Sequence, residues 1–221
     1  MSHEVIGTHL ESPDTATPTG RVIDGALRCF ARWGVGKTTL DDIARESNCS
    51  RATVYRLFPG GKGGLTQAVA EREVARLLLV VTDAIDEAPD IESLLVGAIV
   101  ATARFIDGND ALMMVMRHEP EVLMPFLAFD RLDPILEVSS AFLGPLVARF
   151  IDPALAAEVV EWGARLLLSY TCEPNLTIDL TDPASAGRIV TRHLIPGIRS
   201  ASADISRLTG PIGSRTPSPQ H

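Results

Sequence analysis

Between Thr19 and Arg199 the apolar residues recur at three- and four-residue steps, and no stretch sustains the period-2 alternation of a half-buried strand. That periodicity confines the chain to an all-α fold. The first helix shows it most cleanly, with Val22, Ile23, Ala26, Leu27, Phe30 and Ala31 forming one stripe. Thr19 stands where an N-cap belongs, and Gly34, just after Trp33, where a left-handed C-terminal cap belongs. Two short helices are expected next, from about Thr39 to Glu46 and from Arg51 to about Phe58. The polar turn Ser47-Asn48-Cys49-Ser50 separates them, and Pro59-Gly60-Gly61 ends the second. The remaining helices run roughly from Lys62 to Asp86, Ile91 to Asp107, Asp110 to Met116, Glu119 to Leu127, Leu132 to Phe150, Pro153 to Cys172 and Asp182 to Arg199. Asp152-Pro153 and Asp182-Pro183 each place Pro at the first helical position after an Asp cap.

One stretch invites a different reading. Gly34 to Leu40 reads GVGKTTL, and Gly36-Lys37-Thr38 is the tail of a phosphate-binding loop, G-x-x-x-x-G-K-[ST]. The first glycine of that motif would fall at Ala31, inside the first helix. The loop must also follow a buried strand that orients its N–H groups, and an amphipathic helix precedes it instead. Gly61-Lys62 is followed by Gly63 and fails too. A consistent account makes Gly34 and Gly36 a chain reversal. Thr38 is then the N-cap of the next helix, and Asp41 and Asp42 favour its positive end. A two-turn helix, a four-residue turn and a second short helix capped by Ser50 make a helix-turn-helix pattern.

Charge supports that pattern. The chain of 221 residues carries a net charge of −8. Residues 19–66 hold eight basic and four acidic side chains, a net of +4, which leaves −12 for the rest. A basic head on an acidic body suits DNA binding by the head alone. Cys29, Cys49 and Cys172 are odd in number and far apart, so neither a disulfide framework nor a metal site is expected. No apolar run approaches the roughly 20 residues of a membrane span, and the start lacks the pattern of a signal peptide. A cytoplasmic protein is expected.

Arg21 to Leu65, RVIDGALRCFARWGVGKTTLDDIARESNCSRATVYRLFPGGKGGL, resembles the N-terminal domain of the tetracycline-repressor (TetR) family of bacterial regulators nearly end to end. The most specific pieces are TTLDDIA, then Ser50 to Arg56, then Phe58-Pro59 and Lys62. The resemblance implies an N-terminal three-helix DNA-binding head and a larger C-terminal helical ligand-binding and dimerisation domain. It implies a homodimer on a pseudo-palindromic duplex, a regulatory role without catalysis, and no cofactor or metal. The family more often has Gly-Val where this chain has Asn48-Cys49, but Asn tolerates a left-handed backbone and Cys replaces a small apolar side chain. The expected organisation is a tail over 1–18, the head over 19–66, the helical body over 67–200 and a second tail over 201–221.

Arg51, Ala52 and Thr53 would occupy the first turn of the recognition helix, where base edges are read. Arg51 suits either guanine or a phosphate, while Ala52 or Thr53 suits a thymine methyl. By the resemblance, Tyr55 and Arg56 contact bases or backbone, and Thr38, Thr39 and Lys62 contact phosphates, with Ser50 both capping and facing the backbone. In the body, soft apolar side chains concentrate around Phe105, Met113, Met116, Met124, Phe126 and Phe129, and with Trp162 these are candidate lining of a ligand pocket. Few polar groups accompany them, so a hydrophobic effector such as a lipid or acyl derivative is expected. Leu155, Val159, Trp162, Leu166 and Ser169 form a stripe on one long helix, and Ile189, Val190, His193, Leu194 and Ile198 on another, both candidates for a dimer bundle. A repressor released by such an effector is the leading reading. The alternatives are a constitutive DNA-binding protein whose body only dimerises, and an all-helical enzyme, for which no catalytic constellation is visible.

Overall fold

The computed structural model describes residues 17–122, 133–172 and 178–209. All regular elements among them are helical. In chain order they are α1 (Pro18–Lys37), α2 (Leu40–Glu46), α3 (Arg51–Leu57), α4 (Gly61–Ile85), α5 (Ile91–Asp107), α6 (Asp110–His118), α7 (Asp133–Val147), α8 (Pro153–Cys172), α9 (Pro183–Ile189) and α10 (Ile195–Thr209). A single wide turn, Val190–Leu194, joins α9 to α10 without a break. The final helix therefore runs through 201–209, which the sequence assigned to a tail. Most of the helix expected over 119–127 lies outside the described residues.

Local chemistry explains the boundaries. Thr17, not Thr19, caps α1: its hydroxyl accepts the Gly20 N–H at 2.9 Å, and Pro18 takes the first helical position, where no N–H is needed. Gly34 interrupts the helix with φ 80° and ψ 170°, a conformation an L-residue adopts only under strain. Asn48 takes φ 51° in the turn after α2, the one positive φ outside glycine among the described residues. Asp182 caps α9 through the N–H groups of Ala184 and Ser185.

Two apolar cores result. In the head, Val22, Ile23, Ala26, Cys29 and Phe30 of α1 pack with Leu40, Ile43, Val54, Leu65 and Val69. Ala111 of α6 joins this core although α6 lies far along the chain. In the body, Val81 and Ile85 pack with Leu94, Ile99 and Val100 of α5, Leu155, Ala156 and Val160 of α8, and Ile189, Val190, Leu194 and Ile198. Helix α4 thus contributes its first half to one core and its second half to the other. Between the two, buried Arg72 pairs with Asp24 of α1 at 2.7 Å. The apolar stripe of α9 and α10 is inner core of its own chain, not the subunit face expected of it; of that set only His193 is exposed.

Candidate nucleic-acid interface

The helix-turn-helix is held from inside by Ile43 and Val54, both fully buried. Ser47 ends α2 directly against Gly25 of α1, where any Cβ would collide with the serine hydroxyl. Helix α2 is fastened at both ends. At its start Thr39 and Asp42 form a reciprocal capping box: the Asp42 N–H donates to Thr39 Oγ1 at 3.2 Å, and the Thr39 N–H donates to Asp42 Oδ2 at 3.1 Å. At its end Glu46 accepts from Arg28 at 2.6 Å and from Arg32 at 3.3 Å, both on α1. The Thr39 hydroxyl and N–H hold the Asp42 carboxyl below the ordinary carboxylate range. The Arg28 guanidinium does the same for Glu46.

This overturns one assignment. Thr38 is not the cap. Its side chain is 1% exposed, and its hydroxyl donates to the Gly34 carbonyl at 2.6 Å. The hydroxyl closes the kink after α1 and has no route to a phosphate, so Thr38 leaves the set of contact side chains. Thr39, one residue on, is exposed and in the capping position.

On α3, Ser50 accepts the Thr53 N–H at 3.1 Å, and the two hydroxyls share a hydrogen bond of 3.0 Å. Ser50, Arg51, Ala52, Tyr55 and Arg56 are exposed and Thr53 half-buried, whereas Val54 points inward. The outer face of α3 therefore presents the residues singled out from sequence. Arg51 is engaged within its own chain. It pairs with Asp41 of α2 at 2.9 Å, donates to the Tyr55 hydroxyl at 3.3 Å and lies over the Tyr55 ring at 5.4 Å. Lys62, at the start of α4, donates to the Gly36 carbonyl at 3.0 Å and so brings a cation to the segment after the Gly34 kink. Asp41 as the partner of Arg51, and Arg28 and Arg32 as clamps on α2, were not singled out in the sequence as more than charges.

The pocket candidates do not converge. Phe105 lines an open groove of about 390 Å³ with Arg28, Glu73, Arg76 and Arg104, and Arg76 lies over its ring at 5.7 Å. Met113 lines a second groove of about 490 Å³ with Met114, Arg28, Arg32 and Arg117. Met116 is half-buried on α6 and lines neither, and Trp162 is 50% exposed on α8. Both grooves are charged and open, between α1 and the start of the body, unlike the apolar cavity expected. Met124, Phe126 and Phe129 lie outside the described residues. Among the described residues no three His, Cys, Asp or Glu side chains are placed to hold a metal ion, and no helix is long and apolar enough to cross a membrane.

Residues 22–69 match the family model described as bacterial regulatory proteins, tetR family. The chain is 28% identical over 198 residues to an uncharacterized HTH-type transcriptional regulator of Mycobacterium tuberculosis, covering 88% of this chain and 92% of that one. It is 35% identical over 108 residues to an uncharacterized HTH-type transcriptional regulator of Mycobacterium bovis, and that match spans only about half of either chain, 49% and 54%. Among solved structures it is similar to the TetR family repressor AlkX of a Dietzia strain, with TM-score 0.62 and 22% identity over 84% of this chain and 97% of that one.

Proposed function

We propose that the chain is a DNA-binding transcriptional regulator of the TetR type, a repressor that binds a pseudo-palindromic duplex as a homodimer and leaves it when a hydrophobic small molecule occupies the body. The match of residues 22–69 to the family model and the likeness over 198 residues to an HTH-type transcriptional regulator support this reading. The observation that carries the DNA side is the outer face of α3, where a Ser50-capped first turn presents Arg51, Ala52 and Thr53, with Tyr55 and Arg56 one turn on. Arg51 to Thr53 read base edges. Thr39, Ser50 and Lys62 position the head on phosphates, and Tyr55 and Arg56 complete the contact. One head is too small to define a site alone, and regulators of this family act as dimers. The two recognition helices then fall about one DNA turn apart, roughly 34–36 Å.

The effector side rests on the apolar composition of the body, whose helices pack around an aliphatic core, and not on the two charged grooves beside α1. The structural neighbour AlkX is described as implicated in biodegradation of n-alkanes, which agrees with an apolar effector. Selection of duplexes from a random library by the full-length protein, followed by footprinting, tests the reading. A two-fold symmetric footprint with affinity falling steeply with salt is expected. An asymmetric footprint or a salt-insensitive affinity overturns it. Titrating fatty acids and acyl derivatives into the selected complex tests release.

A further inference from the structure

The loop that imitates a phosphate-binding motif does bind an anion, and the anion comes from the protein itself. Glu119 follows α6, its backbone N–H bonded to the Val115 carbonyl at 2.8 Å. Its carboxylate reaches back to the loop after the Gly34 kink. Oε2 accepts the Val35 N–H at 2.6 Å and the Gly36 N–H at 3.1 Å, and Oε1 accepts the Gly36 N–H at 3.1 Å. The space exists only because of the glycines: a Cβ at Gly34 would lie 2.5 Å from Glu119 Oε1, and one at Gly36 2.9 Å from the same atom. From the other side Lys62 of α4 holds the Gly36 carbonyl at 3.0 Å. Three residues later Thr39 begins the helix-turn-helix.

The other end of α6 is also tied down. Asn109 caps it by accepting the Leu112 N–H at 3.0 Å, and its side-chain amide donates to Glu73 of α4 at 2.7 Å. Between the two ties Ala111 sits in the head core. Helix α6 is thus moored to the head, yet one turn of chain, Gly108-Asn109, connects it to α5, which is embedded in the body core. We propose that Glu119 is a positioning residue, a latch through which the body holds the loop at the root of the helix-turn-helix and through which a change in the body reaches the DNA-reading helix. Carboxylate to backbone N–H bonds of this kind are charge-assisted and directional. A shift of α6 away from α1 breaks all of them together and frees the chain immediately before Thr39.

This inference rests on the reading of the chain as a DNA-binding regulator, but its first measurement needs no DNA. Amide hydrogen exchange of the full-length protein should show the Val35 and Gly36 N–H groups exchanging at least tenfold faster in Glu119→Gln, with residues 40–57 also accelerated and α8 to α10 unchanged. Gly36→Ala, whose Cβ would come within 2.9 Å of Glu119 Oε1 at a position without positive φ, should expel the carboxylate and give the same pattern. The double variant should add little to either single one, because both remove one interaction. Binding of Glu119→Gln to a duplex selected by the wild-type protein should weaken about tenfold. Unchanged exchange at Val35 and Gly36 overturns the latch. Acceleration confined to those two amides, with residues 40–57 and DNA affinity unaffected, overturns the coupling and leaves a local cap. Failure of the wild-type protein to select any duplex would instead overturn the DNA-binding reading, while the exchange measurement still judges the contact.

Discussion

Arg51 in the DNA-free chain spends its guanidinium on Asp41 and Tyr55. Both Arg51 and Asp41 are more than half exposed, and a pair so screened by solvent contributes little. A bidentate contact with guanine discriminates by about 1–3 kcal/mol, so DNA can displace Asp41. Arg51→Ala is expected to lose about 1–3 kcal/mol and to relax preference at one base pair, whereas Lys62→Ala should weaken all sequences alike. Measuring both on every single-base variant of a selected duplex decides the roles, and a uniform loss for Arg51→Ala returns that residue to a phosphate. The residue scale also marks the limits of reading from sequence. Ser50 as cap, and Asn48 with its left-handed backbone, were legible because the reason is local. Thr38 against Thr39 was not: either hydroxyl of a Thr-Thr pair can cap, and the choice follows from where the Gly34 carbonyl lies after the kink. Glu119 was invisible, since it stands 83 residues from the Gly36 amide it binds.

At the scale of elements, periodicity located the helices well and their surroundings poorly. The bounds of α5 and α8 agree with the sequence reading to the residue. The stripe of α9 and α10 was equally clear, but a stripe says which face is buried and not which chain covers it; α5 and α8 of the same chain do. Phe105 and Met113 line different grooves for the same reason: they lie on different helices whose relative rotation is set by long-range packing. Helix α4 gives a prediction. It begins at Gly61, so Gly63 and Gly64 lie within its first turn rather than before it, and a Cβ at either would meet nothing within 4 Å. Each glycine costs up to about 0.8–1 kcal/mol relative to Ala in a helix. Gly63→Ala with Gly64→Ala should therefore raise the unfolding midpoint by several degrees. No rise in a thermal melt would mean that this turn is not helical in solution. Helix α2 gives another, through its two carboxylates. Asp42 and Glu46 both have folded pKa values below their unfolded ones, so the stability they add is fully present above the unfolded values, about 3.9 and 4.3. It is lost as pH falls through the lower folded values. Acid should loosen α2 in that window, seen as faster exchange of its amides, and Glu46→Gln should remove the part of that sensitivity that comes from Arg28 and Arg32.

At the scale of the whole molecule, the subunit interface has to be found again once α9 and α10 are taken into the core. The surviving candidate is α8. Trp162 is 50% exposed there, and Val159 and Leu166, one turn to either side, are only partly buried within the chain. A tryptophan left half in water in the middle of a long helix matches the anchor of an interface, where removing such a residue commonly costs 2 kcal/mol or more. Of the other large apolar side chains exposed among the described residues, Tyr55 belongs to the α3 face and Trp33 to the head, while Leu79 and Val80 lie on α4. Trp162→Glu should place a charge at the centre of the α8 face and give a monomer in analytical ultracentrifugation at concentrations where the wild-type protein is dimeric. Its effect on DNA should be larger than its distance from α3 suggests. Two linked heads gain an effective concentration that single heads lack, and avidity of this kind multiplies affinity by about 10²–10⁴. The monomer should therefore bind the selected duplex at least about a hundredfold more weakly, with a half-site duplex bound nearly as well as before. A dimer that persists in Trp162→Glu would move the interface to the Leu79–Val80 face of α4. A monomer that still bound the full duplex tightly would mean that one head suffices, and the symmetric mode of binding would fall with it.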